Sequence, residues 1–491
     1  MRTALSSSGR GHRVLLIEAN DMPRWVGGLV PHEVRVLPIG LMYVAAAAQA
    51  SGAAAEVRIA ESSLDCPTDA AFVDLLDDFK PDVVGIRSIV FFVEELQRLA
   101  RLTRAHCGAA IVVGGPIVEA WKEKLFEQVP EIDVAVKGDG ERVFPELLQG
   151  REIATAPGVL YRDGARVVEN PAAPENKDLD GLPLPAYDLV DLERYRGQLS
   201  YAYNHRRQGV LVTSRGCVYS CSFCFRPWDD MRLRSAAGVF QEIAYLYEQH
   251  AVRDFYIVDD IFNVHLKRAL EVFDRLLAAK LEVRLYFVNG LRADTVTEEF
   301  VDRAIAAGAI WFTYAVESAS EEIQRLTRKR LNLAKAQRII AYTQRKGVVV
   351  NITTMYGFPG ETPEQAQMTL DWLGELPKAS LLPYHFCLRF FPGCDIREQA
   401  LAAGFSQQQL EDSTQTCYHD MPAGTPTLSR AEMTRIVLQY HRRFGLSNPD
   451  RVREAARTLA GVGYAEEEIA HLYSVLMRKP VGSVADLVAA R

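Results

Sequence analysis

The sequence has little cysteine, no excess of positive charge and no long apolar run. Eight of its 491 residues are cysteine, which excludes a small domain held together by disulfides. The formal net charge of −7 gives no general electrostatic basis for binding nucleic acid. The longest apolar stretch, around Leu41–Ala50, is interrupted by Gln49 and is too short to span a bilayer. Met1–His12 lack the apolar segment of a signal peptide, so we expect a cytoplasmic protein without a membrane span.

What the sequence does contain is a globular composition, with 48% hydrophobic residues, and two series of alternating strand and helix patterns. In residues 1–150, five short apolar runs alternate with helical patterns. This alternation predicts an α/β domain with a doubly wound, Rossmann-like parallel sheet. Its strands are predicted at Val14–Ile17, Val57–Ala60, Asp82–Ile86, Ala110–Val113 and Val134–Val136.

The character of the sequence changes after residue 150. Residues 151–204 contain an Asp-Gly hairpin and a proline-rich stretch, and we interpret them as a hairpin and linker. Residues 205–395 contain six strand–helix repeats, which predict a partial (β/α)6 TIM-like barrel. Residues 396–491 predict a C-terminal helical domain, with the clearest helix at Glu432–Arg443. The barrel strands are predicted at Gly209–Thr213, Phe255–Val258, Leu285–Val288, Trp311–Val316, Val348–Thr353 and Pro383–Leu388.

Three cysteines, Cys217, Cys221 and Cys224, lie within eight positions directly after the first predicted barrel strand. Thiolates bind zinc and iron–sulfur clusters, and this spacing brings three sulfurs to one metal centre. Three ligands leave one position open, where the fourth iron of a four-iron cluster could bind a substrate or cosubstrate. A zinc site and three unrelated core cysteines are the alternatives, although zinc usually needs a fourth Cys or His and the loop lacks one.

The Cys-x3-Cys-x2-Cys spacing, the aromatic Phe223 and the position after the first barrel strand resemble the radical SAM superfamily. The resemblance implies that the three cysteines hold a 4Fe-4S cluster and that Phe223 contacts the cofactors. It also implies that the open iron chelates the amino and carboxylate groups of S-adenosylmethionine (SAM). An electron from the cluster then cleaves the sulfonium and yields a deoxyadenosyl radical.

Two acidic residues, Asp259 and Asp260, end the second barrel strand. The resemblance places carboxylates there, near the amino group of SAM. The alternative is a helix N-cap formed by Asp260 or Asn263.

The segment Ala315–Ser320 ends the fourth strand and resembles the superfamily's Gly-Ile-Glu-Ser-Gly-Ser, with alanine at both glycine positions. Burying Glu317 without a partner would be costly. The resemblance implies that Glu317 and Ser318 meet the ribose or the amine of SAM. A salt bridge from Glu317 to Arg328 or Lys329 is the structural alternative.

The sequence Tyr356-Gly-Phe-Pro-Gly-Glu-Thr362 ends the fifth strand and resembles the superfamily's Gly-x-Pro-Gly-Glu-Thr turn. The resemblance implies that Gly357, Pro359 and Gly360 shape the adenosine pocket. The pattern alone predicts a structural turn and a helix N-cap at Thr362.

In the first 150 residues, the only G-x-G sequence near the first strand precedes it, which disfavours a dinucleotide site. Three glycine-containing turns instead resemble the cobalamin-binding domain of cobalamin-dependent radical SAM enzymes, in which the corrin lies over the strand ends. Glycine permits close approach of a flat macrocycle. The alternative is a domain kept as a scaffold without corrin. The resemblance implies cobalamin contacts at Pro38, Gly40, Leu41, Ser88, Gly114, Gly115, Gly138, Gly140 and Glu141.

The Asp-x-His-x-x-Gly motif that supplies a cobalt ligand elsewhere is not found, so we expect cobalamin to bind without a protein histidine on cobalt.

Cys387, Cys394 and Cys417 have irregular spacings and are interpreted as core cysteines rather than a second cluster. The run His385–Gly393 could line a substrate pocket or belong to the core.

The resemblance implies a C-methyltransferase that acts on an unactivated carbon of a small molecule or natural product, through a deoxyadenosyl radical and methylcobalamin. The alternative is a radical SAM cyclase, oxidase or rearrangement enzyme in which cobalamin donates no methyl group or is absent. A methylthiotransferase acting on transfer RNA is set aside, since Cys66 and Cys107 are too few for a further cluster. A purely structural or redox-sensing protein would leave two ligand-binding domains unexplained. The expected partners are a small-molecule substrate and an external electron donor such as flavodoxin or ferredoxin, and no catalytic residue is assigned.

Overall fold

The computed structural model describes residues 5, 11–21, 37–196, 206–228, 230–377, 385–415, 424–477, 481–483 and 485. Among these residues, one compact unit ends at Arg194 and a second begins at Tyr195. The first unit therefore includes residues 151–194 of the predicted hairpin and linker, and the second contains both the predicted barrel and the C-terminal helices. No helix in the described part of the chain combines the length and apolar character that crossing a bilayer requires.

The first unit is built on a seven-stranded sheet in the order β2-β1-β3-β4-β5-β6-β7. Strands β1 to β5 are parallel, and the β6–β7 hairpin continues the sheet in antiparallel fashion. The predicted doubly wound parallel sheet is confirmed. The strands are β1 (His12–Glu18), β2 (Ala54–Glu61), β3 (Val83–Arg87), β4 (Ala110–Gly114), β5 (Val134–Val136), β6 (Val159–Asp163) and β7 (Arg166–Glu169).

Both faces of this sheet are buried. Side chains alternate along β1, so that Leu15 and Ile17 join one apolar core while Val14 and Leu16 join another. A strand covered on both faces is apolar at every position, which explains its continuous hydrophobic run. The helices of this unit are α1 (Ile39–Ala50), α2 (Ser62–Asp65), α3 (Asp69–Phe79), α4 (Val93–His106), α5 (Pro116–Trp121), α6 (Glu123–Gln128) and α7 (Gly140–Leu148).

The second unit contains a six-stranded parallel sheet in the order β15-β14-β13-β12-β11-β8. Its strands pair in chain order, which confirms the predicted partial barrel. Pro383, predicted to begin the last strand, lies outside the described residues. The strands are β8 (Gln208–Leu211), β11 (Asp254–Ile257), β12 (Arg284–Leu291), β13 (Ala309–Glu317), β14 (Val349–Tyr356) and β15 (His385–Cys387), and β9 (Ser214–Arg215) pairs separately with β10 (Arg232–Leu233).

Helices alternate with these strands and then continue alone to the end of the described chain. The helix predicted at Glu432–Arg443 lies within α16 (Arg430–Phe444). An ion pair of 2.8 Å between Arg443 and Asp371 joins this helix to α13 (Pro363–Gly374). The helices are α8 (Ala236–Gln249), α9 (Leu266–Ala279), α10 (Glu298–Ala306), α11 (Glu321–Leu326), α12 (Leu333–Arg345), α13 (Pro363–Gly374), α14 (Ile396–Ala402), α15 (Gln407–Ser413), α16 (Arg430–Phe444), α17 (Pro449–Gly461) and α18 (Glu466–Met477).

Candidate active site

The three motif cysteines lie in one loop that follows β9. Burial raises the pKa of the Cys217 thiol, and the neighbouring Cys221 and Asp260 raise it as well. Cys224 also interacts electrostatically with both other thiols. In the part of the chain that the structure describes, no three His, Cys, Asp or Glu side chains converge on one metal ion.

The start of this loop is anchored by Asp259. Its carboxylate is buried and accepts hydrogen bonds from the Thr213 amide (2.6 Å), the Thr213 hydroxyl and the Ser214 hydroxyl (2.7 Å). The hydrogen-bond donors to Asp259 are thus Thr213 and Ser214, which lead into the cysteine loop. Asp259 therefore anchors the start of the loop, and its placement near the amino group of SAM stays a prediction.

Asp260 lies closer to the thiols and also holds the loop. Its Oδ2 accepts a hydrogen bond from the Gly216 amide at 3.0 Å. Gly216 has a φ of +81°, and a Cβ there would lie 2.6 Å from a backbone oxygen, so this turn requires glycine. The alternative of an N-cap at Asp260 or Asn263 is wrong, because α9 begins at Leu266 and His265 caps it.

Glu317 ends β13 in a strained, left-handed conformation with a φ of +69°. Its Oε1 lies 3.1 Å from Nζ of Lys329, and both residues are buried. One of the two alternative salt bridges is therefore formed, while Arg328 pairs with Asp395 instead. Strain of this kind persists where the surroundings impose it, and it is concentrated at functional sites.

Lys329 is a site residue that sequence reasoning considered only as a structural partner. Burial alone would lower its pKa, but Glu317 and the thiols of Cys221 and Cys224 together hold it above its ordinary value. Its ammonium group also lies 5.9 Å from the centre of the Phe223 ring. A buried carboxylate and ammonium beside the cysteine loop match the opposite charges of an amino acid moiety such as that of SAM.

Ser318 has a structural role in this arrangement. It is buried, and its hydroxyl accepts a hydrogen bond from the Ser320 amide at 3.1 Å and contacts the Thr369 hydroxyl at 3.4 Å. These partners fix the Ser318 side chain, and its contact with SAM stays a prediction.

The turn after β14 contains Gly357, Pro359 and Gly360, and both glycines have positive φ. Glu361 organises the turn, since its Oε2 accepts hydrogen bonds from the amides of Gly357 (2.6 Å) and Phe358 (3.2 Å). Burial raises the pKa of Glu361 to about 8. The N-cap predicted at Thr362 is confirmed: it forms a capping box at the start of α13.

The segment predicted to be either pocket or core, His385–Gly393, is buried at Leu388 and Phe390 only, and its other residues are half-buried or exposed. Leu388 and Phe390 are buried in an apolar cluster together with Cys394. The His385 ring stacks on Tyr440 with ring centres 4.7 Å apart. Cys417 lies outside the described residues.

Three of the glycines predicted to contact cobalamin lie at strand ends in the first unit: Gly114 ends β4, Gly115 follows it, and Gly138 lies two residues after β5. A Cβ added at Gly114 or Gly138 would meet nothing within 4 Å, whereas one at Gly115 would meet the Ser88 carbonyl oxygen at 2.7 Å. The open backbone at Gly114 and at Gly138 fits a flat ligand that lies beyond the strand ends. The remaining predicted contacts lie at helix starts, with Pro38, Gly40 and Leu41 at α1 and Gly140 and Glu141 at α7.

Ser88 is fully buried, and its hydroxyl donates to the carbonyl oxygen of Ile89 at 3.2 Å, so its predicted contact with cobalamin stays a prediction. Three charged residues that the sequence did not lead us to predict lie at the ends of adjacent strands. Glu18 ends β1, Glu61 ends β2 and Arg87 ends β3, and the three lie in register across the sheet. Arg87 pairs with Glu18, and burial raises the pKa of Glu61 to about 7. A charged residue that ends an apolar strand is the signal that could have identified them.

Comparison with known proteins matches both units to described families. Residues 211–373 match the radical SAM superfamily, and residues 28–148 match the B12 binding domain. The chain is 25% identical over 350 residues to an uncharacterised methyltransferase of Pyrococcus horikoshii, covering 69% of this chain and 73% of that one. It is 27% identical over 382 residues to the cytidylyl-2-hydroxyethylphosphonate methyltransferase of Streptomyces wedmorensis, covering 69% and 70%.

The fold is also similar to a solved structure, the radical SAM methyltransferase TsrM of Kitasatospora setae with cobalamin and a 4Fe-4S cluster bound. That similarity has a TM-score of 0.67 at 20% identity and covers 94% of this chain and 98% of TsrM. The two family matches together span more than half of the chain. The chain belongs to the cobalamin-dependent radical SAM enzymes, whose two domains bind a 4Fe-4S cluster with SAM and cobalamin.

Proposed function

We propose that this enzyme is a C-methyltransferase that acts on an unactivated carbon of a small-molecule substrate. The observation that carries the proposal is the presence of a B12-binding domain and a radical SAM domain in one chain. When bound, the three cofactors supply one-electron chemistry and a transferable methyl group. An external one-electron donor such as flavodoxin or ferredoxin is part of the proposal.

Different residues of the chain bind the cluster and SAM. Cys217, Cys221 and Cys224 hold the cluster, and they must lose their protons to do so. Glu317 and Lys329 offer a carboxylate and an ammonium to the charged groups of SAM. Phe223 packs edge-on against Phe358 with ring centres 6.4 Å apart, which supports the exclusion of water from this region.

The proposal places cobalamin in the domain of residues 1–150, followed by the hairpin and linker of residues 151–204. The cluster and SAM belong to the barrel of residues 205–395, and the helical domain of residues 396–491 follows it. Within the first domain, the open backbone at Gly114 and Gly138 supports a corrin over the strand ends.

The second candidate function is cyclisation. The chain is 28% identical over 335 residues to the anaerobic magnesium-protoporphyrin IX monomethyl ester cyclase of Rubrivivax gelatinosus, covering 62% of this chain and 59% of the cyclase. Methyltransferases are found among the relatives as well, including a hopanoid C-3 methylase and a carbapenam methyltransferase. Since the named substrates differ widely, the proposal specifies the reaction and the size class of the substrate only.

The test supplies SAM with a deuterated methyl group to cluster- and cobalamin-loaded enzyme, together with a reductant and a metabolite extract of the organism that encodes it. Mass spectrometry then follows the label. New products that carry the deuterated methyl group support methyl transfer, provided that a Cys221→Ala control gives none. Deoxyadenosine formation with products that carry no label would support the cyclase instead.

A further inference from the structure

The cysteine loop rests on the segment Thr327–Arg330. The Ser222 amide donates a hydrogen bond to the carbonyl oxygen of Thr327 at 2.9 Å. Within the segment, Arg328 and Arg330 adopt left-handed conformations with φ of +57° and +48°. A non-glycine residue keeps such a conformation only when its surroundings hold it, so some contact must fix this segment.

Arg292 supplies that contact. Its Nη1 donates to the carbonyl oxygen of Lys329 at 2.8 Å, and its Nη2 donates to the carbonyl oxygen of Arg330 at 3.1 Å. The same guanidinium stacks on Tyr219, with its Cζ 4.1 Å from the ring centre. Tyr219 lies between Cys217 and Cys221, so one side chain connects the cysteine loop to the segment that carries Lys329.

Arg292 is itself held from two directions. Its Nε lies 2.9 Å from Oδ1 of Asp294, and its amide donates to Oδ1 of Asn263 at 3.1 Å. Asp294 also accepts a hydrogen bond from the Asn332 amide at 2.9 Å. The Arg292 side chain is only 10% exposed, so its charge is weakly screened.

The charge of Arg292 also lies next to the cysteine loop. Its Cζ is 4.1 Å from the ring centre of Tyr219, which is two residues from both Cys217 and Cys221. A permanent positive charge at this place would also favour the reduced, more negative form of a cluster.

We propose that Arg292 is a positioning residue that fixes the cysteine loop against the Lys329–Glu317 pair and places a permanent positive charge beside the cluster. The inference rests on the proposed function only in that the three cysteines hold a cluster and that SAM binds next to it. It needs neither cobalamin nor methyl transfer.

The test compares Arg292→Gln and Arg292→Lys in the full chain with the cluster loaded. The readouts are SAM affinity by equilibrium binding and the cluster reduction potential by electron paramagnetic resonance. We expect Arg292→Gln to weaken SAM binding at least fivefold and to shift the potential to more negative values. Arg292→Lys should restore the potential but not the affinity, because lysine cannot stack and bridge two carbonyl groups in the same way.

Arg303→Gln is the matched control, because it removes an exposed arginine on α10 that pairs with Asp274. Equal SAM affinity and potential in Arg292→Gln and this control would overturn the inference. If Arg292→Gln does not load a cluster, Tyr219→Leu takes its place against Tyr219→Phe. Weaker SAM binding in the leucine variant alone supports the inference, and equal affinity overturns it. Failure of the wild-type chain to load a cluster would instead overturn the proposed function.

Discussion

Removing Lys329 leaves the Glu317 carboxylate buried without its cation. The side chains of the pair are 9% and 12% exposed and 3.1 Å apart. Removing one partner of a buried pair costs about 3–5 kcal/mol, whereas replacing both partners is often close to neutral. We therefore expect Lys329→Met to lower the free energy of unfolding of the cluster-free protein by about 3 kcal/mol. The double variant Glu317→Gln, Lys329→Met should recover most of that loss.

The assay is urea unfolding at neutral pH, followed by circular dichroism. Lys346→Met is the control, since Lys346 forms a similar pair with Asp302 at 2.7 Å on the surface. We expect this control to leave the midpoint nearly unchanged, because surface ion pairs contribute little. Equal midpoints for Lys329→Met and Lys346→Met would refute the reasoning, as would a double variant less stable than Lys329→Met.

Three further predictions concern other parts of the molecule. Because the pKa of Glu61 is raised from 4.5 to about 7 in the folded protein, its contribution to stability falls as the pH rises through that range, by up to about 3 kcal/mol. Glu61→Gln should flatten the pH dependence of urea unfolding, and an unchanged slope would contradict this. Gly114→Leu should weaken corrin binding, measured by absorbance, whereas Gly108→Leu at the other end of β4 should not; both glycines have open space around them. Gly216→Ala should lower the iron content of the protein after cluster loading, because its Cβ would meet a backbone oxygen at 2.6 Å, and a wild-type iron content would show that the turn tolerates a side chain.

Local patterns were sufficient for most of the fold. The run Val14–Ile17 lies within β1, and its unbroken apolar character reflects a strand with a core on each face. The predicted glycine turns lie at strand ends, where Gly115, Gly138, Gly357 and Gly360 have the positive φ that few other residues adopt. The sequence could not show that the β6–β7 hairpin joins the first sheet, since that depends on pairing with β5 over a long separation.

The site was harder to predict than the fold, because its hydrogen-bond partners come from segments that lie far apart in the sequence. Asp259 follows a strand as a ligand-binding carboxylate would, but its donor Thr213 lies 46 residues earlier in the chain. Arg292 lacks any motif that was recognised, and its role depends on Tyr219 and on carbonyl groups of Lys329 and Arg330. The cysteine spacing was informative because all three residues lie in one short loop.

One chain that binds cobalamin together with an iron–sulfur cluster should contain both when it is isolated. We would measure the corrin and iron content of protein produced without oxygen and with cobalamin supplied, using absorbance and mass spectrometry. We expect near-stoichiometric cobalamin beside a loaded cluster. A loaded cluster with no cobalamin would contradict this expectation, and would show that the first domain serves as a scaffold.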